Sequence, residues 1–115
     1  LRLANKVHLL GFVDNPYVFF RNAEIFVLSS RWEGLPTVLI EAMCCGRQVI
    51  STDCPGGSAF ILEDGKWGQL TKVGDYIGLS IAINNVLNGK FRVNPELRSK
   101  VFDENVILKK YLEIL

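Results

Sequence analysis

The apolar residues alternate between short unbroken runs and helical spacing, and that alternation sets out the elements. Val7–Leu10, closed by Gly11, reads as a buried strand. Ile25–Leu28 and Val49–Ser51 read the same way, and Gly68–Val73 as a weaker fourth strand. Between the first two strands, Asn15-Pro16 opens a helix that runs to about Ala23, with Asn15 as its cap and Pro16 in its first turn. Leu35, Val38, Leu39, Ala42, Met43 and Gly46 recur at three-and-four spacing, which predicts a helix ending on Gly46. Cys54-Pro55-Gly56-Gly57 is a loop before a helical turn near Ala59–Leu62, and Glu63-Asp64-Gly65 is a turn signal. Asp75 caps a helix carrying Ile77, Ile81, Ile83, Val86 and Leu87 and ending near Asn88-Gly89. Two helices, about Pro95–Phe102 and Glu104–Ile114, complete the chain.

Strands alternating with helices, each strand apolar on both faces, predict an α/β domain: a parallel sheet flanked by helices. Ligands of such sheets bind where strand ends lead into helices. That rule selects three segments, Gly11–Asn15, Ser29–Thr37 and Thr52–Ser58.

The 115 residues suffice for one domain with a modest core, and 49% apolar with 22% charged residues excludes a disordered chain. A formal net charge of +1 gives no electrostatic footprint for nucleic acid or an anionic membrane. No apolar run approaches the roughly 20 residues that cross a bilayer. The first residues, Leu1-Arg2-Leu3-Ala4, show no signal peptide, and the chain reads as a piece of a longer polypeptide. Cys44, Cys45 and Cys54 are an odd number without zinc-ligand spacing, so they read as inert thiols in a reducing compartment.

The chemistry is concentrated in Ser29–Ala42, which leaves a strand, turns on Gly34 and enters a helix with Pro36 in its first turn. Free N–H groups at such a helix mouth, reinforced by the helix dipole, suit a diphosphate. Gly34 leaves room for a ligand to approach the backbone, and Thr37 adds a hydroxyl. Thr37 and Glu41 share one helix face, while Glu33 stands on the far side of the mouth. The span from Glu33 to Glu41 is about 10 Å by helix rise and loop width, close to the reach from a ribose across a diphosphate to a sugar ring. Carboxylates grip vicinal hydroxyls through charge-assisted hydrogen bonds. Read without further context, a Glu such as Glu41 in the middle of an amphipathic helix is usually just solvated, and Glu33 alone is an ordinary loop acid.

The stretch SSRWEGLPTVLIEAMCCGRQVISTDCPGG, with Glu33 and Glu41 eight positions apart, resembles the E-x7-E motif of glycosyltransferase family 4. The likeness extends upstream to LLGFVDN, downstream to GKWGQLTKVGD, and to the closing VFDENVILKKYLEIL. It covers essentially the whole chain and is nearest to enzymes that build bacterial surface polysaccharides and lipid-linked oligosaccharides.

The resemblance implies a Rossmann-like fragment, residues 1–115, belonging to the C-terminal half of a retaining GT-B enzyme. The acceptor domain and the first part of the donor domain would lie outside it. Glu33 would contact the donor sugar and is the candidate catalytic residue. Gly34 and Leu35 would touch sugar or β-phosphate through their N–H groups, with Pro36 in the same turn and Thr37 and Val38 on the phosphates. Glu41 would hold the ribose, Gly11, Phe12 and Val13 would line the base pocket, and Gly56 and Gly57 would close a loop near the donor. The donor would be a UDP-sugar carrying a hexose or N-acetylhexosamine, and the acceptor a glycan or lipid-linked chain. No metal or other cofactor is expected, because protein donors would take a cation's place on the leaving diphosphate. The full enzyme would be cytoplasmic, with room for peripheral membrane association, and the fragment alone inactive. A non-catalytic nucleotide-sugar-binding module and another GT-B enzyme, such as a UDP-sugar epimerase, are the alternatives.

Two departures qualify the likeness. Ser58 and Phe60 stand where similar proteins carry Pro and Glu, which leaves the role of Pro55–Leu62 open. The basic pair that neutralises the diphosphate in such enzymes would lie upstream, and Arg31 reads as a solvated loop cation instead. His8 reads as a strand histidine, Trp32 as a packing or sugar-stacking residue, Trp67 as a cover for the sheet edge, and Asp14 and Asp53 as turn or cap residues. Lys109-Lys110 form the wet side of the last helix, whose Val106, Ile107, Tyr111, Leu112 and Leu115 are too apolar for a free tail. That helix is expected to pack on the absent domain, or to cause self-association without it.

Overall fold

A computed structural model describes residues 2–114. Three strands, β1 (Ile25–Leu28), β2 (Gln48–Thr52) and β3 (Gln69–Thr71), form one parallel sheet in the order β1-β2-β3. Ile25 pairs with Gln48 and Leu28 with Ser51, while Ile50 pairs with Gln69 and Thr52 with Thr71. The helices are α1 (Tyr17–Asn22), α2 (Thr37–Cys44), α3 (Ser58–Ile61), α4 (Tyr76–Leu87), α5 (Pro95–Ser99), which runs into a 3-10 turn at Lys100–Phe102, and α6 (Glu104–Ile114).

Successive strand residues face opposite sides, so each strand feeds two cores. Phe26 and Leu28 of β1, Val49 of β2 and Leu70 of β3 join Phe20, Leu39, Ala42, Met43, Ile61 and Leu62 on the side covered by α1, α2 and α3. Ile25, Val27 and Ile50 meet Leu79, Ala82, Ile83 and Val86 of α4 on the other. β2 lies in the middle and is buried along its whole length. Burial on both faces explains its unbroken Val49-Ile50 run, as the alternation of strands and helices had implied.

Turn chemistry sets the helix ends. The Asp75 carboxylate accepts from the Gly78 N–H at 2.8 Å and caps α4, and Asn15 Oδ1 accepts from the Tyr17 N–H at 3.2 Å ahead of α1. Gly46 at φ +74° and Gly89 at φ +71° end α2 and α4 in the left-handed conformation that glycine adopts without strain. Arg98, a buried cation, donates to the Ile61 carbonyl at 2.7 Å, to the Phe60 carbonyl at 2.8 Å and to Glu63 Oε1 at 3.1 Å. It thereby ties α5 to the last turn of α3 and satisfies carbonyls a helix end would otherwise leave open.

One expected element does not form. Val7–Leu10 makes no strand, and Leu9 and Phe12 are 97% and 92% exposed. A strand needs a neighbour for its N–H and C=O groups, and among the described residues none pairs with this segment or with the far edge of β1. The remaining boundaries differ by a residue or two at element ends. α6 occupies the expected Glu104–Ile114, and none of its described residues is buried.

Candidate functional site

The carboxyl ends of β1 and β2 release two loops, and these are clamped together. The Glu33 N–H donates to the Pro55 carbonyl at 3.2 Å, and the Gly57 N–H donates to the Gly34 carbonyl at 2.7 Å. Gly56 has φ +129°, and a Cβ there would collide with the carbonyl oxygen of Glu33. A Cβ on Gly57 would come within 2.8 Å of Leu35 Cδ1. The two glycines therefore let the second loop lie directly on the first. They build the site by packing against Glu33-Gly34-Leu35.

The helix mouth is only partly open. The Thr37 N–H donates to the Leu35 carbonyl at 2.8 Å and the Leu39 N–H to the Pro36 carbonyl at 3.0 Å. Among the described residues, the N–H groups of Gly34, Leu35 and Val38 have no acceptor. These three donors, at the positive end of α2, are what the turn offers an anion. Thr37 contributes its exposed hydroxyl rather than its N–H. Nothing lies within 4 Å of a Cβ placed on Gly34, so the approach to this backbone is open. Pro36 is buried and fixes the turn from inside.

The two acids have separate partners. Glu33, half-buried, accepts from the Ser30 hydroxyl through Oε1 at 2.6 Å. Glu41, also half-buried, lies on α2 near Tyr17. The negative charge of Glu41 is the chief cause that holds the Tyr17 hydroxyl above its ordinary value of 10.0. This links the second acid to α1, which follows the Gly11–Val13 segment. Gly11, at φ +66°, and Phe12 are exposed, and Val13 is half-buried. Trp32, beside Glu33, is 81% exposed.

Two hollows lie elsewhere. One of about 220 Å³ opens on the α4 side of the strand ends, with Ser29, Arg31, Thr52, Lys72 and Tyr76 in its wall. Another of about 410 Å³ lies among Phe60, Glu63, Arg98 and Lys110. Neither has Glu33 or Glu41 in its lining, so neither acid lies in either of these two hollows. Among the described residues, no three His, Cys, Asp or Glu side chains assemble as a set of metal ligands. No described helix is long and apolar enough to cross a membrane.

The structure gives roles to the two residues at which the chain departs from its likeness. Ser58 is fully buried, with its Oγ 3.1 Å from Ser51 Oγ, and it anchors the start of α3 beneath the clamped loops. Phe60 points outward and meets Phe102 edge to face at 6.2 Å. These contacts occupy the Pro55–Leu62 stretch where the chain departs from its likeness. Ser30, a hydroxyl three residues before Glu33, is a partner that the sequence carries as a local hydrogen-bonding signature.

The chain belongs to the glycosyl transferases of group 1: that family's model matches residues 1–89. An uncharacterized glycosyltransferase of Methanocaldococcus jannaschii is 45% identical over 85 residues, covering 63% of this chain and 21% of that protein. The N-acetylgalactosamine-N,N'-diacetylbacillosaminyl-diphospho-undecaprenol 4-alpha-N-acetylgalactosaminyltransferase of Campylobacter jejuni is 32% identical, covering the whole chain and 33% of its own length. The lipopolysaccharide core biosynthesis glycosyltransferase LpsE of Rhizobium meliloti is 31% identical, with 100% and 35% covered. The chain spans about a fifth to a third of the relatives it matches.

Proposed function

We propose that the chain is the donor-binding part of a retaining glycosyltransferase that passes a hexose or N-acetylhexosamine from a UDP-sugar to a glycan or lipid-linked acceptor. The observation that carries this reading is the set of three unpaired N–H groups, Gly34, Leu35 and Val38, at the start of the helix that bears Glu41, directly after Glu33 in the chain. The N–H groups would take the diphosphate, Glu41 the ribose and Glu33 the sugar hydroxyls. Gly11, Phe12 and Val13 would line the base pocket once covered.

In the transfer, the bond from the anomeric carbon to the β-phosphate oxygen breaks, and one to the acceptor oxygen forms on the same face. The acceptor hydroxyl proton passes to the departing phosphate. Charge gathers on that phosphate as the bond breaks, and the helix-mouth donors would face it, so they would stabilise the transition state more than the ground state. With those donors in place no metal is called for. The names of the Campylobacter and Rhizobium relatives support a lipid-linked or lipopolysaccharide acceptor. Such an acceptor fits a cytoplasmic enzyme working at a membrane surface. Its binding domain would face the helix mouth, and the chain by itself would hold donor without turning it over.

The test is a split between two substitutions in the full-length protein. Glu41→Gln should weaken UDP and UDP-sugar binding alike, by about tenfold for a charge-assisted hydrogen bond. Glu33→Gln should weaken UDP-sugar binding and leave UDP unchanged. Equal loss of UDP in both variants, or loss in neither, refutes the assignment.

A further inference from the structure

We infer that Thr52 and Ser30 are positioning residues that aim the Glu33 carboxylate, one oxygen of which they reserve so that the other is presented to the donor sugar. The inference rests on the reading of Glu33 as the sugar-contacting acid. Thr52 ends the fully buried strand β2 and is 4% exposed. Its hydroxyl donates to the Ser30 carbonyl oxygen, which follows the neighbouring strand β1. Ser30 in turn donates its own hydroxyl to Glu33 Oε1 at 2.6 Å. A chain of two hydrogen bonds thus runs from the rigid centre of the sheet to a carboxylate on a loop.

The physical need for it is plain. Glu33 has three rotatable side-chain bonds on an irregular segment, and an untethered glutamate would sample many rotamers. Its backbone is fixed by Pro55 and Gly56, but a fixed backbone leaves the carboxylate free to swing. The Ser30 hydroxyl removes that freedom, since a short bond to an ionised oxygen is among the stronger neutral-to-charged pairs. Ser30 is held in turn, because its carbonyl is the acceptor of the buried Thr52 hydroxyl. Oε1 then points inward to Ser30, and Oε2 is the oxygen left for ligand hydroxyls. Neither residue reaches the helix-mouth N–H groups, so the relay should act on recognition of the sugar and leave the nucleotide untouched.

The experiment measures affinity for UDP and for UDP-glucose, UDP-galactose, UDP-N-acetylglucosamine and UDP-N-acetylgalactosamine by calorimetry. It compares the full-length protein with Ser30→Ala, Ser30→Thr, Thr52→Val and Glu33→Gln, and records thermal midpoints alongside. Ser30→Ala is expected to weaken the best-bound UDP-sugar by about tenfold, as for one lost hydrogen bond to a charge, with UDP affinity within about twofold. Ser30→Thr keeps a hydroxyl and should recover most of the loss. Thr52→Val should fall in the same direction by a smaller factor. The inference is overturned if Ser30→Ala leaves both affinities unchanged while Glu33→Gln weakens the sugar nucleotide, which spares the functional reading. It is overturned equally if Ser30→Ala weakens UDP and UDP-sugar in step with a lower thermal midpoint, the mark of a purely structural hydroxyl. If Glu33→Gln has no effect, or no UDP-sugar binds more tightly than UDP, the functional reading fails and the relay falls with it.

Discussion

The clamped loops after β1 and β2 and the segments at either end of the chain are opposites in how they meet their hydrogen-bonding and apolar needs. In the loops, Glu33, Gly34 and Leu35 are pinned by Pro55, Gly56 and Gly57, and the hydroxyls of Ser30, Ser51, Thr52 and Ser58 lie in partly or wholly buried contacts. At the ends, Leu9, Phe12, Leu112 and Ile114 are 97%, 92%, 70% and 82% exposed. The loops are complete within the chain, so their geometry is set by it. The end segments carry apolar faces that the described residues do not cover. In the proposed reading, the helix mouth with Glu33 and Glu41 is the preformed half of the site and Gly11–Val13 the half still to be covered.

The comparison breaks most readily in the core. Leu39 is fully buried, and Leu39→Ala should cost about 2–5 kcal/mol, whereas Leu112→Ala should stay within about 0.5 kcal/mol, both by urea denaturation. Similar losses from the two would mean that α6 is packed rather than solvated. The two glycines sharpen the contrast at the next level. Gly56→Ala meets both a positive φ and the Glu33 carbonyl, and should lower stability by about 2 kcal/mol or more while loosening the clamp. Gly11→Ala has a positive φ but open space, and should cost about 1 kcal/mol. Thermal midpoints of the two variants decide between them.

Smaller effects come from titration. The Trp67 indole N–H, donating to Glu63 at 2.7 Å, is the chief cause that holds the Glu63 carboxyl below its ordinary 4.5, with Lys66 and Arg98 adding to it. A depressed carboxyl pKa contributes stability that is present above 4.5 and lost as pH falls through the folded value. Unfolding midpoints should therefore fall on acidification below 4.5, and Glu63→Gln should flatten that part of the profile. The Tyr17 phenol is shifted the other way, so its contribution is present below 10.0 and is lost as pH rises above that value. Glu41→Gln should bring Tyr17 back toward 10.0 in an NMR titration of its ring carbon. An unmoved Tyr17 would separate Glu41 from α1.

Legibility in the sequence followed the same division. β1, β2, α4 with its Asp75 cap and α6 could be read because their signals are local: apolar runs, a capping side chain, a glycine after the last turn. The absence of a strand at Val7–Leu10 could not be read, since a run of apolar residues says nothing of whether a neighbour is present to pair. Glu33, Gly34 and Glu41 stood out by spacing and likeness. Their supports Thr52 and Ser58 did not, because a hydroxyl acquires its role only when another strand end is brought beside it. Arg98 escaped for the same reason: a cation that caps a helix 37 residues away leaves no pattern in its own segment.

The most direct measurement is an amide chemical-shift titration of the full-length protein with UDP and with UDP-sugars. The account requires the Gly34, Leu35 and Val38 amides to move with UDP alone, and Glu33 to join them only when a sugar is attached. Shifts confined to the hollow around Arg31 and Lys72, with Gly34, Leu35 and Val38 unmoved, would contradict it.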